Sequence, residues 1–179
     1  MRIISGSHKG LRIQAPAKLP VRPTTDIAKE ALFNILQHSI DFYEMNLLDL
    51  FAGTGNISYE FASRGCSSIL AVDKHPACVD FIKETSKKLN FQIDVVRADV
   101  FKYLESAYEK YDLIFADPPY DLNRIPEIAE RVLKNNLLKE EGMLIIEHAS
   151  VQQLNHVPGF VEDRKYGYST FSFFSSKNL

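Results

Sequence analysis

Short apolar runs alternate with longer amphipathic stretches from residue 46 onward. Five of the runs are rich in apolar residues and have the length of a strand: Leu47–Phe51, Ile69–Val72, Gln92–Val96, Leu113–Ala116 and Met143–Ile146. The stretches between them have the length of helices, at 57–65, 76–90, 100–109 and 124–138. Because apolar strands separated by helices are typical of parallel sheets covered on both faces, the pattern predicts an α/β fold with a mostly parallel sheet.

Near the C-terminus the apolar positions alternate with polar ones. Phe160–Tyr166 and Tyr168–Phe174 carry this alternation on either side of Gly167, which is typical of two antiparallel strands joined by a tight turn. We therefore predict an antiparallel hairpin at the end of the sheet. Its aromatic side chains are interpreted as core and hairpin pairs, with a base-stacking platform as the alternative.

The beginning of the chain carries a third pattern. Two short strands within residues 3–15 surround the turn Gly6–Gly10 and predict a β-hairpin. Three prolines then keep residues 16–23 extended. From residue 27 to residue 36, apolar side chains recur every three or four positions, which predicts an amphipathic helix.

Thr24 or Thr25 is the expected N-cap of this helix, since threonine side chains accept hydrogen bonds from the first helical amides. The pattern as a whole divides the chain into two parts. Residues 1–40 form an N-terminal hairpin-helix extension, and residues 41–179 form the α/β domain.

Composition excludes several classes of protein. A chain of 179 residues with 45% hydrophobic residues can bury a sizeable core. No run approaches the roughly 18 apolar residues of a membrane span, and the N-terminus lacks the pattern of a signal peptide. Cys66 and Cys78 have no metal-ligand spacing, so we expect no metal site and interpret both as reduced packing residues of a cytoplasmic protein.

Charge is distributed unevenly along the chain. The net charge is −2, yet residues 1–40 contain six bases and only two acids. The basic residues of this extension, among them Lys9, Arg12 and Arg22, are candidates for contacts with phosphate groups. A solvated face with a chance asymmetry is the alternative.

A glycine turn follows the first predicted strand. Gly53 and Gly55 come between that strand and the next helix, where glycine allows a tight turn and the close approach of a ligand. Ser58 stands where the dinucleotide-binding fingerprint has its third glycine, which disfavours NAD. Asp49 precedes the turn, and its carboxylate would repel a pyrophosphate and attract a cationic ligand.

Further acids follow the second and third strands. Asp73 is placed to accept hydrogen bonds from ribose hydroxyls, with a helix N-cap as the alternative. Asp99 is placed to accept from an adenine amine and the Val100 N–H to donate to a ring nitrogen, again with N-capping as the alternative for Asp99. An adenosine site with acids and no phosphate binder fits S-adenosylmethionine.

The fourth strand is followed by Asp117-Pro118-Pro119-Tyr120. Two consecutive prolines fix the backbone and remove two N–H donors, so that carbonyl oxygens are left to accept. The Asp117 carboxylate and the Pro118 carbonyl could together accept both hydrogens of an exocyclic amine, and Tyr120 could stack on a base.

These residues resemble a known family. The strings DLFAGTGN, VDKH and FADPPY, in this order, resemble class I S-adenosylmethionine-dependent methyltransferases that modify an exocyclic amine. The string RPTTDIAKEALFN at residues 22–34 is similar to that of the RsmD family, which methylates N2 of a guanine in small-subunit (16S) ribosomal RNA. The resemblance extends over essentially the whole chain.

The resemblance implies a Rossmann-like class I fold and a role for each motif. The segment from Asp49 through Phe51 to Gly55 would surround the methionine portion of the cofactor, Asp73 the ribose, and Asp99 with Val100 the adenine. Asp117, Pro118, Pro119 and Tyr120 would hold the target amine, whereas Lys9, Arg12, Arg22 and Thr24 would face RNA. The implied partner is small-subunit ribosomal RNA within a ribosomal particle, bound by a cytoplasmic monomer, with no DNA or membrane partner.

Two other functions remain open on the sequence. An N6-adenine DNA methyltransferase shares the DPPY motif but needs a sizeable target-recognition segment, and no such insertion is visible. A non-catalytic RNA-binding protein could use the same fold, although the retained Asp117, Gly53 and Gly55 argue against it. His148, after the fifth predicted strand, is interpreted as structural or capping, with an approach to the site as the alternative.

Overall fold

The computed structural model describes residues 1–17, 19 and 26–178, and it contains five α-helices and seven strands in these ranges. The helices are α1 (Asp26–Leu36), α2 (Asn56–Ser63), α3 (Pro76–Leu89), α4 (Val100–Ser106) and α5 (Pro126–Lys134). The strands are β1 (Asn46–Leu50), β2 (Ser68–Asp73), β3 (Ile93–Arg97), β4 (Tyr111–Ala116), β5 (Leu138–Ala149), β6 (Phe160–Tyr166) and β7 (Ser169–Phe174).

All seven strands belong to one sheet with the order β3-β2-β1-β4-β5-β7-β6. The five strands β1 to β5 run parallel to one another, and β7 inserts antiparallel between β5 and β6. This arrangement confirms the predicted fold class, a mostly parallel Rossmann-like sheet that ends in an antiparallel hairpin. Strand β1 is the topological switch point of the sheet, because β2 and β3 lie on one side of it and β4 and β5 lie on the other. A crevice forms at the carboxyl ends of the strands at such a point.

Helices cover both faces of the sheet. On one face, α4 and α5 pack through residues such as Leu104 and Val132 against Leu48, Ile114 and Ile146. On the other face, α1 and α2 share a second apolar cluster with the central strands. That cluster contains Leu32, Phe33, Phe61, Leu113, Phe115 and Ile145. The helix of the N-terminal extension is therefore part of the packed core and not a loose appendage.

The predicted N-terminal β-hairpin is present in a minimal form. A single antiparallel bridge joins Arg2 and Arg12, supported by backbone hydrogen bonds such as Ile3 N–H to the Leu11 carbonyl. The two predicted strands do not extend further, because the next amides, those of Ile4 and Ser5, donate to the carboxylate of Glu60 on α2. The hairpin is thus tied to α2 by side-chain hydrogen bonds.

The predicted helix at 124–138 was too long. Helix α5 ends at Lys134, and Asn136 adopts a left-handed conformation with φ 53°. Leu138 then pairs with Tyr111 as the first residue of β5. Strand β5 consequently has 12 residues and begins well before the apolar run Met143–Ile146 that predicted it. In the described part of the chain, no helix has the length and apolar character that crossing a membrane requires.

Candidate active site

A cavity of about 590 Å³ opens at the carboxyl ends of the parallel strands. It collects nearly all of the sequence-predicted cofactor residues, which come from the ends of β1, β2 and β3: Asp49, Phe51, Gly53, Asp73, Asp99 and Val100. The predicted target-binding residues Asp117, Pro118, Pro119 and Tyr120 line the same cavity after β4. Gly55 lies in the turn between the lining residues Thr54 and Asn56.

The glycine turn has the backbone conformation that its sequence predicts. Gly53 and Gly55 have φ angles of 55° and 77°, in the left-handed region that glycine adopts at little cost. A Cβ atom at Gly55 would lie 2.9 Å from the Tyr59 ring, so the packing of α2 also requires glycine there. Phe51 has φ 59° without being glycine, and such strain is typical of functional sites.

Asp73 braces this turn. Its Oδ2 accepts the Gly53 N–H at 2.9 Å and its Oδ1 accepts the His75 N–H at 2.8 Å. Helix α3 begins at Pro76 after His75 and has no side-chain cap, so the alternative that Asp73 caps this helix is wrong. Two backbone N–H groups hold the Asp73 carboxylate at the edge of the cavity. Its contact with a ribose stays a prediction.

Asp49 is a buried acid at the base of the cavity. Burial raises its pKa from the ordinary 3.8 to about 7, although the Ser58 hydroxyl donates to its Oδ2 at 2.5 Å and opposes that shift. Ser58, which replaces the third glycine of the dinucleotide fingerprint, therefore supplies the partner of Asp49. Because a cation stabilises the ionised carboxylate, Asp49 favours a positively charged ligand at the bottom of the cavity.

Asp99 caps helix α4. Its Oδ1 accepts the N–H groups of Phe101 and Lys102 at 3.0 and 3.1 Å. The capping alternative is thus confirmed for this oxygen, and the predicted adenine contact would use the other. Val100, the first residue of α4, is buried, and Asp99 does not accept its backbone N–H. That amide belongs to the first helical turn, where N–H groups have no partner inside the helix.

The loop after β4 is anchored at both ends. The Asp117 N–H donates to the Leu50 carbonyl at 3.3 Å. In the following turn, the Leu122 N–H donates to the Pro119 carbonyl at 2.9 Å. Pro118 is buried, whereas Asp117 and Tyr120 are half-buried at the cavity. The Tyr120 hydroxyl lies 2.7 Å from Ser169 Oγ on β7. The C-terminal hairpin thereby forms part of the site.

Asn56, Glu147 and Ser169 are among the polar cavity residues to which sequence reasoning gave no role. Glu147 is 3% exposed and directly follows the apolar run Met143–Ile146. An acid at or near the carboxyl end of an apolar strand was the signal that identified Asp49, Asp73 and Asp117, so the same rule could have found it. Asn56 and Ser169 carry no such signal, because their positions depend on contacts between distant segments.

His148 is not a cavity residue. It is 1% exposed, its Nε2 shares a 2.8 Å hydrogen bond with Ser172 Oγ, and its Nδ1 lies 3.0 Å from the Ala149 carbonyl. This environment confirms the structural interpretation. Cys66 and Cys78 are buried free thiols whose pKa values burial raises to about 11, in keeping with packing roles.

The predicted RNA-facing residues are away from this cavity or outside the described residues. Lys9 and Arg12 are exposed on the N-terminal hairpin. Lys9 also lines a groove of about 310 Å³ between the hairpin and α1, together with Arg2 and Arg64. Arg22 and Thr24 fall outside the described residues, as does the predicted N-cap of α1.

The strand order and the cavity at the switch point define the class I methyltransferase fold. RsmC of Thermus thermophilus, a 16S rRNA N2 methyltransferase solved in complex with AdoMet and guanosine, has this fold. It superposes with a TM-score of 0.69 and 19% identity over 88% of this chain and 45% of that chain.

A family match and two curated relatives show which family of methyltransferases the chain belongs to. The family described as Conserved hypothetical protein 95 matches residues 1–175. YlbH of Bacillus subtilis is 33% identical over 174 residues, 94% of each chain. Ribosomal RNA small subunit methyltransferase D of Buchnera aphidicola is 31% identical over 148 residues, 82% of this chain and 75% of that protein. The chain belongs to this family, the RsmD family, and the resemblance seen in its motifs is confirmed.

Proposed function

We propose that this methyltransferase transfers a methyl group from S-adenosylmethionine to the exocyclic N2 amine of a guanine in small-subunit ribosomal RNA. One observation carries the proposal. The strand-end acids Asp49 and Asp73 and the DPPY loop from Asp117 to Tyr120 line a single cavity. A donor site and an amine-binding loop are thus close enough to serve one reaction.

The cavity fits S-adenosylmethionine in size and charge. Its volume of about 590 Å³ is within the usual range for small-molecule sites. Asp49 at its base favours a cation, whereas acids at three strand ends would repel the pyrophosphate of a dinucleotide. We assign Asp49 and the Gly53–Gly55 turn to the methionine portion, Asp73 to the ribose, and Asp99 with Val100 to the adenine. When bound, the cofactor supplies an activated methyl group on a sulfonium.

The DPPY loop fits an amine whose lone pair is delocalised. A guanine N2 amine is a poor nucleophile because its lone pair is shared with the ring. When the Asp117 carboxylate and the Pro118 carbonyl accept its two hydrogens, they favour a more tetrahedral nitrogen with an available lone pair. Asp117 can then accept the proton that the methylated nitrogen releases. Because the donor is already activated, placement supplies much of the rate, and oriented reactants gain roughly 7–11 kcal/mol.

The N-terminal extension is proposed to bind the RNA. Lys9 and Arg12 are exposed on the hairpin and can neutralise phosphates. The motif residues Arg22 and Thr24, outside the described residues, are proposed for the same role. We propose that the protein acts as a monomer in the cytoplasm on a ribosomal particle, where the target base has to leave its stack to enter the cavity.

A sequence relative and a structural neighbour support this proposal. The Buchnera relative is named a small-subunit ribosomal RNA methyltransferase. The fold-level neighbour RsmC is named an N2 methyltransferase of 16S rRNA and was solved with AdoMet and guanosine.

Transfer of tritium from labelled S-adenosylmethionine tests the substrate class. We expect label in 30S particles or their extracted RNA and none in duplex DNA. Label in DNA would identify an adenine-directed DNA enzyme instead. Tight cofactor binding without transfer to any of the three would favour a non-catalytic RNA-binding role.

A further inference from the structure

The aromatic side chains of the C-terminal hairpin divide into two groups. Phe171, Phe173 and Phe174 on β7 are buried in the two apolar clusters of the sheet, which confirms their interpretation as core residues. Tyr166 is half-buried and packs on Phe171 with 6.0 Å between the ring centroids. Tyr168 differs from all of them, because 88% of its surface is exposed. Its ring therefore contributes little to the core.

Tyr168 lies at the edge of the sheet that carries the cavity. With Gly167 it forms the turn between β6 and β7, whose last paired residues are Tyr166 and Ser169. Because β7 is antiparallel to β5, Ser169 pairs with Ala149 at the carboxyl end of β5. The turn consequently projects from the same edge as the carboxyl ends of the parallel strands, and its neighbour Ser169 lines the cavity.

The strand order places this turn on the target side of the cavity. The predicted cofactor residues belong to the ends of β1, β2 and β3 and the DPPY loop to the end of β4, whereas β5 and β7 continue the sheet beyond β4. Neighbouring strands are about 4.8 Å apart, so the start of β7 is roughly 10 Å from the end of β4. A nucleic-acid strand whose target base enters at the DPPY loop would therefore pass close to Tyr168.

The backbone of the turn is held in place. Gly167 has φ 63°, and a positive φ at the first central residue is what a two-residue hairpin turn requires. The Tyr168 carbonyl accepts the N–H of Ser150, the residue after β5, at 2.9 Å. A ring on such a fixed turn can bind a partner without the cost of ordering a loop.

The charges beside the turn are balanced. Strand β6 carries Glu162, Asp163, Arg164 and Lys165, and Arg164 pairs with Glu162 at 2.8 Å. This segment therefore differs from the basic N-terminal hairpin and is poorly suited to phosphate groups. What the turn offers to a nucleic acid is the face of an aromatic ring, on which an unpaired base of any kind can stack.

We propose that Tyr168 stacks on an unpaired base of the ribosomal RNA beside the target guanine and so positions the RNA strand at the mouth of the cavity. This inference rests on the proposed function, since it takes ribosomal RNA as the substrate. It adds a substrate-binding residue to those of the DPPY loop and the N-terminal extension. It also means that at least one base beside the target is unpaired when the protein binds.

Methyl-transfer kinetics on small-subunit particles test the inference with Y168A, Y168L and Y168F. We expect kcat/KM for the particle to fall at least about fivefold in Y168A, the lower end of the effect of removing one stacked base. Y168L keeps apolar bulk without the ring and should lose as much, whereas Y168F should stay within about twofold of wild type. The loss should lie in KM, because the base is stacked both before and during transfer.

Y108A is the matched control. Tyr108 is 85% exposed, but it precedes β4 and so lies at the opposite edge of the parallel strands. We expect Y108A to keep kcat/KM within about twofold of wild type, and all four variants to keep the melting temperature and the cofactor dissociation constant of wild type. An equal loss in Y108A, or wild-type kinetics in Y168A or Y168L, would overturn the inference.

Binding to extracted small-subunit RNA separates base stacking from other contacts. We expect Y168A to weaken this binding by a similar factor from about 50 to 200 mM salt, because no charge is removed and the slope of log K against log[salt] is kept. A shallower slope would indicate a phosphate contact. A loss on particles with wild-type affinity for the extracted RNA would indicate a contact with a ribosomal protein. Either result would overturn the inference.

The same measurements distinguish this inference from the proposed function. If the wild-type protein transfers no methyl group to particles or RNA, the proposed function fails and the inference fails with it. If the wild-type protein is active and Y168A and Y168L match it, only the inference fails.

Discussion

The hydroxyl of Tyr120 lies 2.7 Å from the hydroxyl of Ser169, so that the DPPY loop after β4 is tied to the first residue of β7. The two residues are 49 positions apart in the chain. Both residues line the cavity, and their hydrogen bond restrains the tyrosine side chain there. The C-terminal hairpin therefore has a function beyond extending the sheet.

We expect S169A to lower the rate of methyl transfer about fivefold, since a net hydrogen bond contributes roughly 1 kcal/mol. Cofactor affinity should not change, because the tyrosine is assigned to the target base. Y120F should have a similar effect, and the double variant should be no slower than the slower single variant. S150A, which removes a 2.9 Å hydrogen bond to Thr170 on the same hairpin, is the control; an equal loss in S150A would refute the assignment.

Asp73→Ala should weaken S-adenosylmethionine binding about ten- to a hundredfold, as expected for the loss of a charged hydrogen-bonding group. The substitution removes the predicted ribose acceptor and also the brace of the Gly53 amide. Calorimetric titration gives the dissociation constant. Asp80→Ala removes an exposed acid from α3 and should bind like wild type. An unchanged constant for Asp73→Ala would limit this residue to supporting the turn.

The raised pKa of Asp49 predicts how stability depends on pH. In the unfolded chain the group ionises near 3.8, whereas burial delays ionisation in the folded protein to about 7. The contribution of Asp49 to stability is therefore greatest below the lower value, and it is lost as the pH rises from there through the upper one. Asp49→Asn removes this dependence, so its melting temperature without cofactor should match that of wild type near pH 4 and exceed it at pH 8. An equal difference in melting temperature between the two proteins at pH 4 and at pH 8 would contradict the raised pKa of Asp49.

Cofactor affinity should change in the opposite direction. Once Asp49 is ionised, it attracts the cationic ligand, so the dissociation constant of wild type should fall as the pH rises from 6 to 8. The fall should be absent in Asp49→Asn. A titration series at constant ionic strength measures both proteins, and parallel curves would show that another group controls the binding.

Replacement of Lys9 and Arg12 by alanine should weaken RNA binding and reduce its salt dependence. Each lost phosphate contact lowers the slope of log K against log[salt] by about 0.7–0.9. The control is K87A/K88A, which removes the same charge from the exposed last turn of α3. If both double variants lose the same affinity, net charge explains the result and the hairpin is not the RNA contact.

Much of the fold could be predicted from sequence, because buried parallel strands produce uninterrupted apolar runs. Strands β1 to β4 were placed to within about two residues by this signal. The start of β5 was missed since its first residues, Leu138 to Gly142, are mostly polar and resemble a continuing helix. What ends that helix is the left-handed Asn136. Asparagine often adopts this conformation just past a helix, so the pair Asn135-Asn136 was a local signal that the periodicity alone did not use.

The candidate site also has a part that the sequence could predict and a part that it could not. Acids at strand ends were found because parallel strands bring their carboxyl ends to one edge. The contacts between Tyr120 and Ser169 and between Lys29 and Asn56 join segments 49 and 27 residues apart. Such pairs are determined by how the helices and the hairpin pack on the sheet, and a local pattern contains no information about that packing.

The central claim is that Asp117 directs methylation of a guanine amine, and nucleoside analysis tests it most directly. Small-subunit particles are incubated with S-adenosylmethionine carrying a deuterated methyl group and with wild-type or Asp117→Ala protein. The RNA is then digested for mass spectrometry, and calorimetry measures cofactor affinity of both proteins. We expect deuterated N2-methylguanosine with wild type, none with Asp117→Ala, and cofactor dissociation constants within a few-fold of each other. Deuterium in another nucleoside, or undiminished transfer by Asp117→Ala, would contradict the account.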